Sequence, residues 1–170
     1  MLARLSEGEA NVSELAEPFL GEMSLPRVYD MWTDPEQFAQ WLPPTGATMR
    51  FLRLELCVGG TSFYAMTMAN GAVMYGRLSY LALEAPNRIV YAQQFCDDKE
   101  KVITAPFFAD WPRTMMTTVE LVSEAPDRTR VTLRWEPQDA SAAAIAEFVK
   151  QRGSMTMGWT GSFDKLEALA

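Results

Sequence analysis

The first residues that could do chemistry are carboxylates at helical spacing: Asp30 with Asp34, and Asp164 with Glu167. General acid–base work from such a pair needs a buried site that pushes the two pKa values apart. Both pairs have polar neighbours and fall on short or terminal helices, so solvated faces are expected and no catalysis. The chain has no histidine. That removes the commonest general base near neutral pH and the commonest metal ligand, and with them Ser-His-Asp, Cys-His and His-containing zinc sites. Asp, Glu or Tyr catalysis stays open. The cysteines, Cys57 and Cys96, lack C-x-x-C spacing and lie in apolar, strand-like stretches. Buried reduced thiols are expected there, not a disulfide or a nucleophile. Gly59-Gly60 falls between strands and not ahead of a helix, which argues against a phosphate cradle. Asp97-Asp98-Lys99-Glu100-Lys101 reads as a mixed-charge turn. No catalytic residue, metal site or cofactor is expected.

Aromatic and thioether side chains offer more. Trp32, Trp41, Trp111, Trp135 and Trp159, with 11 methionines, suit the walls of a cavity for an apolar or aromatic ligand, since Met packs adaptably around irregular shapes. The competing reading is that each of them only fills core. Strand alternation selects candidates. Val131, Leu133 and Trp135 share one face, with Arg130, Thr132, Arg134 and Glu136 on the other, and Tyr64, Met66 and Met68 share an inward face. Polar atoms of Tyr64, Tyr91, Gln93 and Thr117 among such walls would orient a ligand; equally, Tyr91 and Gln93 would satisfy each other. Phe148, Met155, Trp159 and Phe163 on a C-terminal helix supply the opposite wall, with access near Trp41 and an aromatic loop that includes Trp111.

Periodicity identifies the elements that must position these groups. Residues 2–20 have helical spacing, with Asn11 able to cap a helix bearing Val12, Leu15 and Phe19. Pro26 starts a short helix over 27–33 with Val28, Met31 and Trp32 on one side. Thr33 or Asp34 caps the next, with Pro35 in its first turn and Phe38, Trp41 and Leu42 as apolar anchors. From Thr48 the period becomes two, and strands are expected over 48–58, 61–68, 73–83, 88–95, 115–123 and 129–136. Gly59-Gly60, Asn70-Gly71, Ala85-Pro86-Asn87 and Ala125-Pro126-Asp127 are the turns of an antiparallel meander. The long irregular piece 96–113 carries Pro106, Phe107, Phe108, Trp111 and Pro112, the make-up of a lid or binding element. Ile145, Phe148, Val149, Arg152, Met155, Trp159, Phe163 and Leu166 recur at three- and four-residue intervals, predicting one long helix over 139–169. Gly153, Gly158 and Gly161 each weaken such a helix by roughly 1 kcal/mol relative to alanine.

A chain of 170 residues suits one domain with a short appendage. Its formal charge of −7 repels phosphate backbones, so nucleic acid is not an expected partner. No apolar run approaches the roughly 20 residues needed to cross a bilayer. Glu7, Glu9, Glu14 and Glu17 do not suit a signal peptide. A cytoplasmic protein without a membrane partner is expected.

The order short helix, short helix, meander, long helix resembles the SRPBCC (START-like) superfamily, and within it the branch named after activators of the heat-shock-protein-90 ATPase. The residues that carry the resemblance are Val28-Tyr29-Asp30-Met31-Trp32-Thr33-Asp34-Pro35, Trp41, Gly59-Gly60, Tyr75-Gly76, Glu84-Ala85-Pro86-Asn87-Arg88-Ile89-Val90-Tyr91 and Met157-Gly158-Trp159-Thr160. Two positions depart from the branch: Cys57 stands where an Arg is usual, and only residues 20–25 are available for a strand ahead of the first helix. The resemblance implies an α+β helix-grip fold over residues 20–170: a curved antiparallel sheet of about six strands, two short helices and one long C-terminal helix around a cavity.

Three functions follow from that resemblance and the residues above. The first is non-enzymatic binding of a small hydrophobic or aromatic molecule between sheet and C-terminal helix. The second is a chaperone-associated or other protein-interaction module, by analogy with the branch name. The third is a cyclase- or dehydratase-like enzyme. Residues 1–19 form a helical N-terminal remnant that, with Met23-Ser24-Leu25-Pro26, resembles the opening of an ArsR-type winged-helix repressor. The recognition helix and wing of that family are missing, so DNA binding is not expected. ArsR-type repressors are dimers, and a homodimer is the partner this second resemblance suggests.

Overall fold

Alternating apolar and polar residues build a seven-stranded antiparallel sheet in the computed structural model, which describes residues 19–169. The strands are β1 (Phe19–Gly21), β2 (Thr48–Arg53), β3 (Thr61–Thr67), β4 (Val73–Glu84), β5 (Arg88–Cys96), β6 (Thr114–Ala125) and β7 (Arg128–Gln138). Their order across the sheet is β1-β7-β6-β5-β4-β3-β2. From β2 to β7 each strand pairs with its sequence neighbour, as expected for a meander. Register shifts between Tyr80 and Ala82 in β4, and between Phe51 and Arg53 in β2, are bulges. Such irregularities raise the local twist and help to curve the sheet.

Three details differ from the sequence expectation. The six expected strands are joined by β1, which pairs with β7 through Phe19↔Val131, Leu20↔Arg130 and Gly21↔Thr129. Phe19 therefore belongs to a strand and not to a helix. The rest of the expected helical remnant, together with the homodimer it suggests, lies outside the described residues. Secondly, β2 ends at Arg53 and does not run to residue 58. The chain turns back on itself there, with the Gly60 N–H donating to Cys57 O at 2.8 Å. Gly59 adopts φ +83°, and a Cβ on Gly60 would lie 2.4 Å from Glu55 O, so both glycines are required by this turn. Cys57 is carried into it and is exposed; Cys96 is buried, and both are free thiols.

Thirdly, the C-terminal segment is two helices, α3 (Ala142–Lys150) and α4 (Arg152–Ala168). Gln151 breaks them apart, with φ −88° and ψ 1°. Helical bonding resumes one turn later, from Met155 N–H to Gln151 O at 3.1 Å. The buried face of α3 is Ala144 and Phe148, that of α4 Ser162, Phe163 and Leu166. At 3.6 residues per turn Phe148 and Phe163 would be about 60° out of phase on one continuous helix. The break lets each segment seat its own face. Ile145 and Val149, expected in the buried stripe, are exposed.

The short helices α1 (Leu25–Thr33) and α2 (Pro35–Trp41) close one end of the sheet. Asp34 caps α2, its Oδ1 accepting from Glu36 N–H at 2.9 Å and Gln37 N–H at 3.2 Å. Trp32, Phe38 and Trp41 bury against one another, and Trp41 Nε1 donates to Met31 O at 2.7 Å. Ser162 Oγ donates to Leu42 O at 2.8 Å and Lys165 Nζ bonds to Pro43 O, tying α4 to the end of α2. The main core joins these helices to Tyr64, Leu78, Tyr91, Val119, Leu133, Phe163 and Leu166. A second cluster holds Ala105, Trp111, Met115 and Phe148. Trp135 packs against both. Among the described residues no helix is long and apolar enough to cross a membrane.

Candidate ligand-binding site

A cavity of about 450 Å³ opens between the curved sheet and α4. Its sheet wall is built mostly by alternation: Tyr64 and Met66 from β3, Met74 and Leu78 from β4, Tyr91, Gln93 and Phe95 from β5, and Trp135 from β7, with Tyr75 of β4 also reaching it from the neighbouring position. Ser154, Met155, Gly158, Trp159 and Ser162 form the helix wall. At 100° per residue these five fall within an arc of about 140°, with Gly158 inside it and Met157 outside it. Met157 is 72% exposed, as that geometry requires. Leu42 and Pro44, after α2, and Phe107, from the long loop, also line the cavity.

Polar atoms are few and specific. The Tyr64 ring lies across β4 at Gly76, where an added Cβ would stand 2.2 Å from the Tyr64 hydroxyl. Only glycine permits that approach. Across it, Gln93 Nε2 donates to the Tyr64 hydroxyl at 2.7 Å. Gln93 therefore satisfies Tyr64, and the alternative pairing with Tyr91 does not form. Tyr91 faces its cross-strand partner Thr117. Their approach falls short of hydrogen-bond geometry and leaves the buried Thr117 hydroxyl without a partner. Trp135 Nε1 is likewise buried and unpartnered.

Burial pushes the Tyr64 phenol up to about 12, opposed in part by the Gln93 bond. Burial pushes the Tyr91 phenol up as well, opposed in part by Thr117. A phenol that ionises near pH 10 when unfolded and near 12 when folded gives a stability contribution fully present below pH 10. Above that pH the unfolded chain loses protons that the folded chain keeps. Stability should therefore fall between pH 10 and 12, by about 1.4 kcal/mol per pH unit for each such phenol. Chemical denaturation across this range checks it, and Tyr64→Phe should flatten part of the slope. A stability that is level to pH 12 would show that the phenols are not held neutral.

Several residues expected in the cavity line it: Tyr64, Met66, Tyr91, Gln93, Trp135, Met155 and Trp159. The others are packed behind its walls. Trp41 is sealed in the helix-end core, with Phe163 stacked on it at 6.4 Å. Trp111 and Phe148 pair at 5.8 Å inside the second cluster, and Thr117 is 0% exposed behind Tyr91. Large aromatic rings at these positions seat between elements, and size alone does not tell a wall from a filler. Met74, Leu78 and Phe95 are legible from strand phase, since they continue the faces of Gly76 and Gln93. The helix wall carries a signal of absent volume: Ser154, Gly158 and Ser162 recur every four residues. No acidic pair enters the cavity. Asp30, Asp164 and Glu167 are exposed and Asp34 caps α2, as expected of solvated faces. Among the described residues no cluster of metal-ligating side chains occurs.

A curved antiparallel sheet that holds a C-terminal helix across an apolar cavity defines a helix-grip, START-like protein. The sequence profile of the family described as "Activator of Hsp90 ATPase homolog 1-like protein" matches residues 22–170, and the chain belongs to that family. Solved structures agree on the fold. One from Arthrobacter aurescens, at 23% identity, gives a TM-score of 0.75 over 94% of this chain and 88% of its own. Another from Mycobacterium smegmatis, at 22% identity, gives 0.71 over 89% and 86%. A third, from Staphylococcus epidermidis, at 25% identity, gives 0.71 over 89% and 85%. No curated protein matches the chain.

Proposed function

We propose that the protein binds a small hydrophobic or aromatic molecule in the cavity between sheet and C-terminal helix, without transforming it. The observation that carries this reading is the cavity itself: about 450 Å³, walled by Met, Trp, Phe and Leu around three tyrosines (Tyr64, Tyr75 and Tyr91), the Gln93 carboxamide and the hydroxyls of Ser154 and Ser162. Small-molecule sites have volumes of roughly 300–1,000 Å³ and this same mixture of apolar walls with a few placed polar groups. None of the lining residues is Asp, Glu, Lys or Arg. Acid–base catalysis works best with a group titrating near the operating pH, whereas burial moves the Tyr64 and Tyr91 phenols away from neutrality. A chaperone-associated role would act through the outer surface, and filling the cavity would leave it intact.

Native mass spectrometry of protein purified from cells tests the reading. A small molecule should be retained under native conditions and released on denaturation. Trp135 and Trp159 line the cavity, so apolar probes should also change the intrinsic fluorescence. No retained mass, together with no fluorescence response to any apolar probe, would reject ligand binding.

A further inference from the structure

The polar atoms of the cavity say what charge its occupant carries. Resting on the binding reading, we propose that the occupant is an uncharged molecule with a hydrogen-bond-accepting oxygen, seated against the Tyr64–Gln93 pair and Tyr91, and that a carboxylate of the same shape is excluded.

Three observations converge on this. The Tyr64–Gln93 pair keeps a donor in hand. With Gln93 Nε2 donating to the Tyr64 hydroxyl, the phenol's own proton is free for a further acceptor. If the amide is turned over so that its oxygen accepts from Tyr64, the free donor becomes the Gln93 NH2. Either way the pair offers a hydrogen to whatever fills the cavity. Tyr91 stands two residues along β5 from Gln93, on the same face. Behind Tyr91 lies the Thr117 hydroxyl, 0% exposed and without a partner. A buried hydroxyl left unpaired is costly. An acceptor in the cavity draws the Tyr91 proton forward and leaves the Tyr91 oxygen to accept from Thr117. The apparent defect thus becomes the back half of a donor row crossing from β6 to β5 to ligand.

Charge narrows the class further. Among the described residues no Lys or Arg lines the cavity, and the chain has no histidine, so a buried carboxylate would meet donors but no counter-charge. Burying an ion without a partner costs far more than burying a neutral oxygen. The Tyr64 and Tyr91 phenols, raised by burial, remain neutral at physiological pH, so they donate and do not compete as anions.

Three probes with one naphthalene skeleton test the proposal by titration against tryptophan fluorescence at pH 7: methyl 2-naphthoate, 2-propylnaphthalene and 2-naphthoate. The ester should bind most tightly and the carboxylate at least about tenfold more weakly than the ester. In Tyr64→Phe and in Tyr91→Phe the ester should lose up to about tenfold, while the hydrocarbon keeps its affinity. That retained affinity also shows each variant to be folded with its cavity intact. A carboxylate that binds as well as the ester would overturn the ligand class and leave the binding reading standing. So would variants in which ester and hydrocarbon are equally unaffected. If none of the three probes binds, both the ligand class and the binding reading fail.

Discussion

Trp41→Ala should destabilise the protein by roughly 3–5 kcal/mol, the usual cost of removing a fully buried large aromatic. Trp41 is 0% exposed. Its ring meets Trp32 edge-on at 4.5 Å, Phe38 at 5.4 Å and Phe163 at 6.4 Å. It thereby joins α1, α2 and α4 at one point. Truncation leaves a void among rings that cannot collapse independently, and it strips the 2.7 Å bond from Met31 O. Urea denaturation of the variant measures the loss. A change below about 1 kcal/mol would mean that the helix end repacks freely, contrary to the geometry described. Trp159 provides the contrast. It is half-buried and lines the cavity, so Trp159→Ala should cost less stability and weaken probe binding more.

Gly158→Phe should abolish uptake of apolar probes without unfolding the protein. A Cβ at Gly158 would meet nothing within 4 Å, and the position lines the cavity, so a phenyl ring directed inward would occupy the space of a ligand. Replacing a helical glycine that has room for a side chain also removes a penalty of roughly 1 kcal/mol. Gly158→Ala should therefore raise the unfolding free energy by about that amount and leave most of the cavity open. Thermal melts and the fluorescence titration, run on both variants, check the pair of expectations. Undiminished binding in Gly158→Phe would place the ligand elsewhere. A marked loss of stability in Gly158→Ala would mean that the helix packs closer to the sheet than described. The absence of a side chain at this position costs the helix stability, and what it leaves is an open cavity.

The meander is legible in the sequence because each of its turns is local. Asn70-Gly71, for example, supplies the φ of +83° that its reversal requires, and alternation on either side fixes the register. β1 is harder to read. Its three residues pair with residues 129–131, far along the chain, and no nearby pattern signals such a pairing. The break at Gln151 is hidden for another reason. The apolar spacing over 145–166 looks continuous at three and four residues, but the two halves dock on different clusters, a tertiary fact. Within the cavity, strand phase identifies Tyr64, Met66, Tyr91, Gln93 and Trp135. Aromatic character fails for Trp41, Trp111, Phe148 and Phe163, because a buried ring leaves the same sequence signature whether it lines a void or seals a joint. Ser154, Gly158 and Ser162 escape a search for large apolar residues, because a cavity wall is made as much by atoms left out as by atoms present.

If a ligand fills the cavity, the break at Gln151 bears on how it would come and go. The buried residues of α4 are Ser162, Phe163 and Leu166, all in its second half, while α3 is held by Ala144 and Phe148. Between these anchors the span 152–161 has no fully buried side chain and contains Gly153, Gly158 and Gly161. Met155 and Trp159 are its apolar contacts with the two clusters, and regions without fully buried side chains open locally at a free energy below that of global unfolding. On the binding reading, ligand exchange would need only this single span to lift while the seven strands remain paired. Residence time would then follow the stiffness of ten residues of helix more than the resistance of the sheet to denaturation.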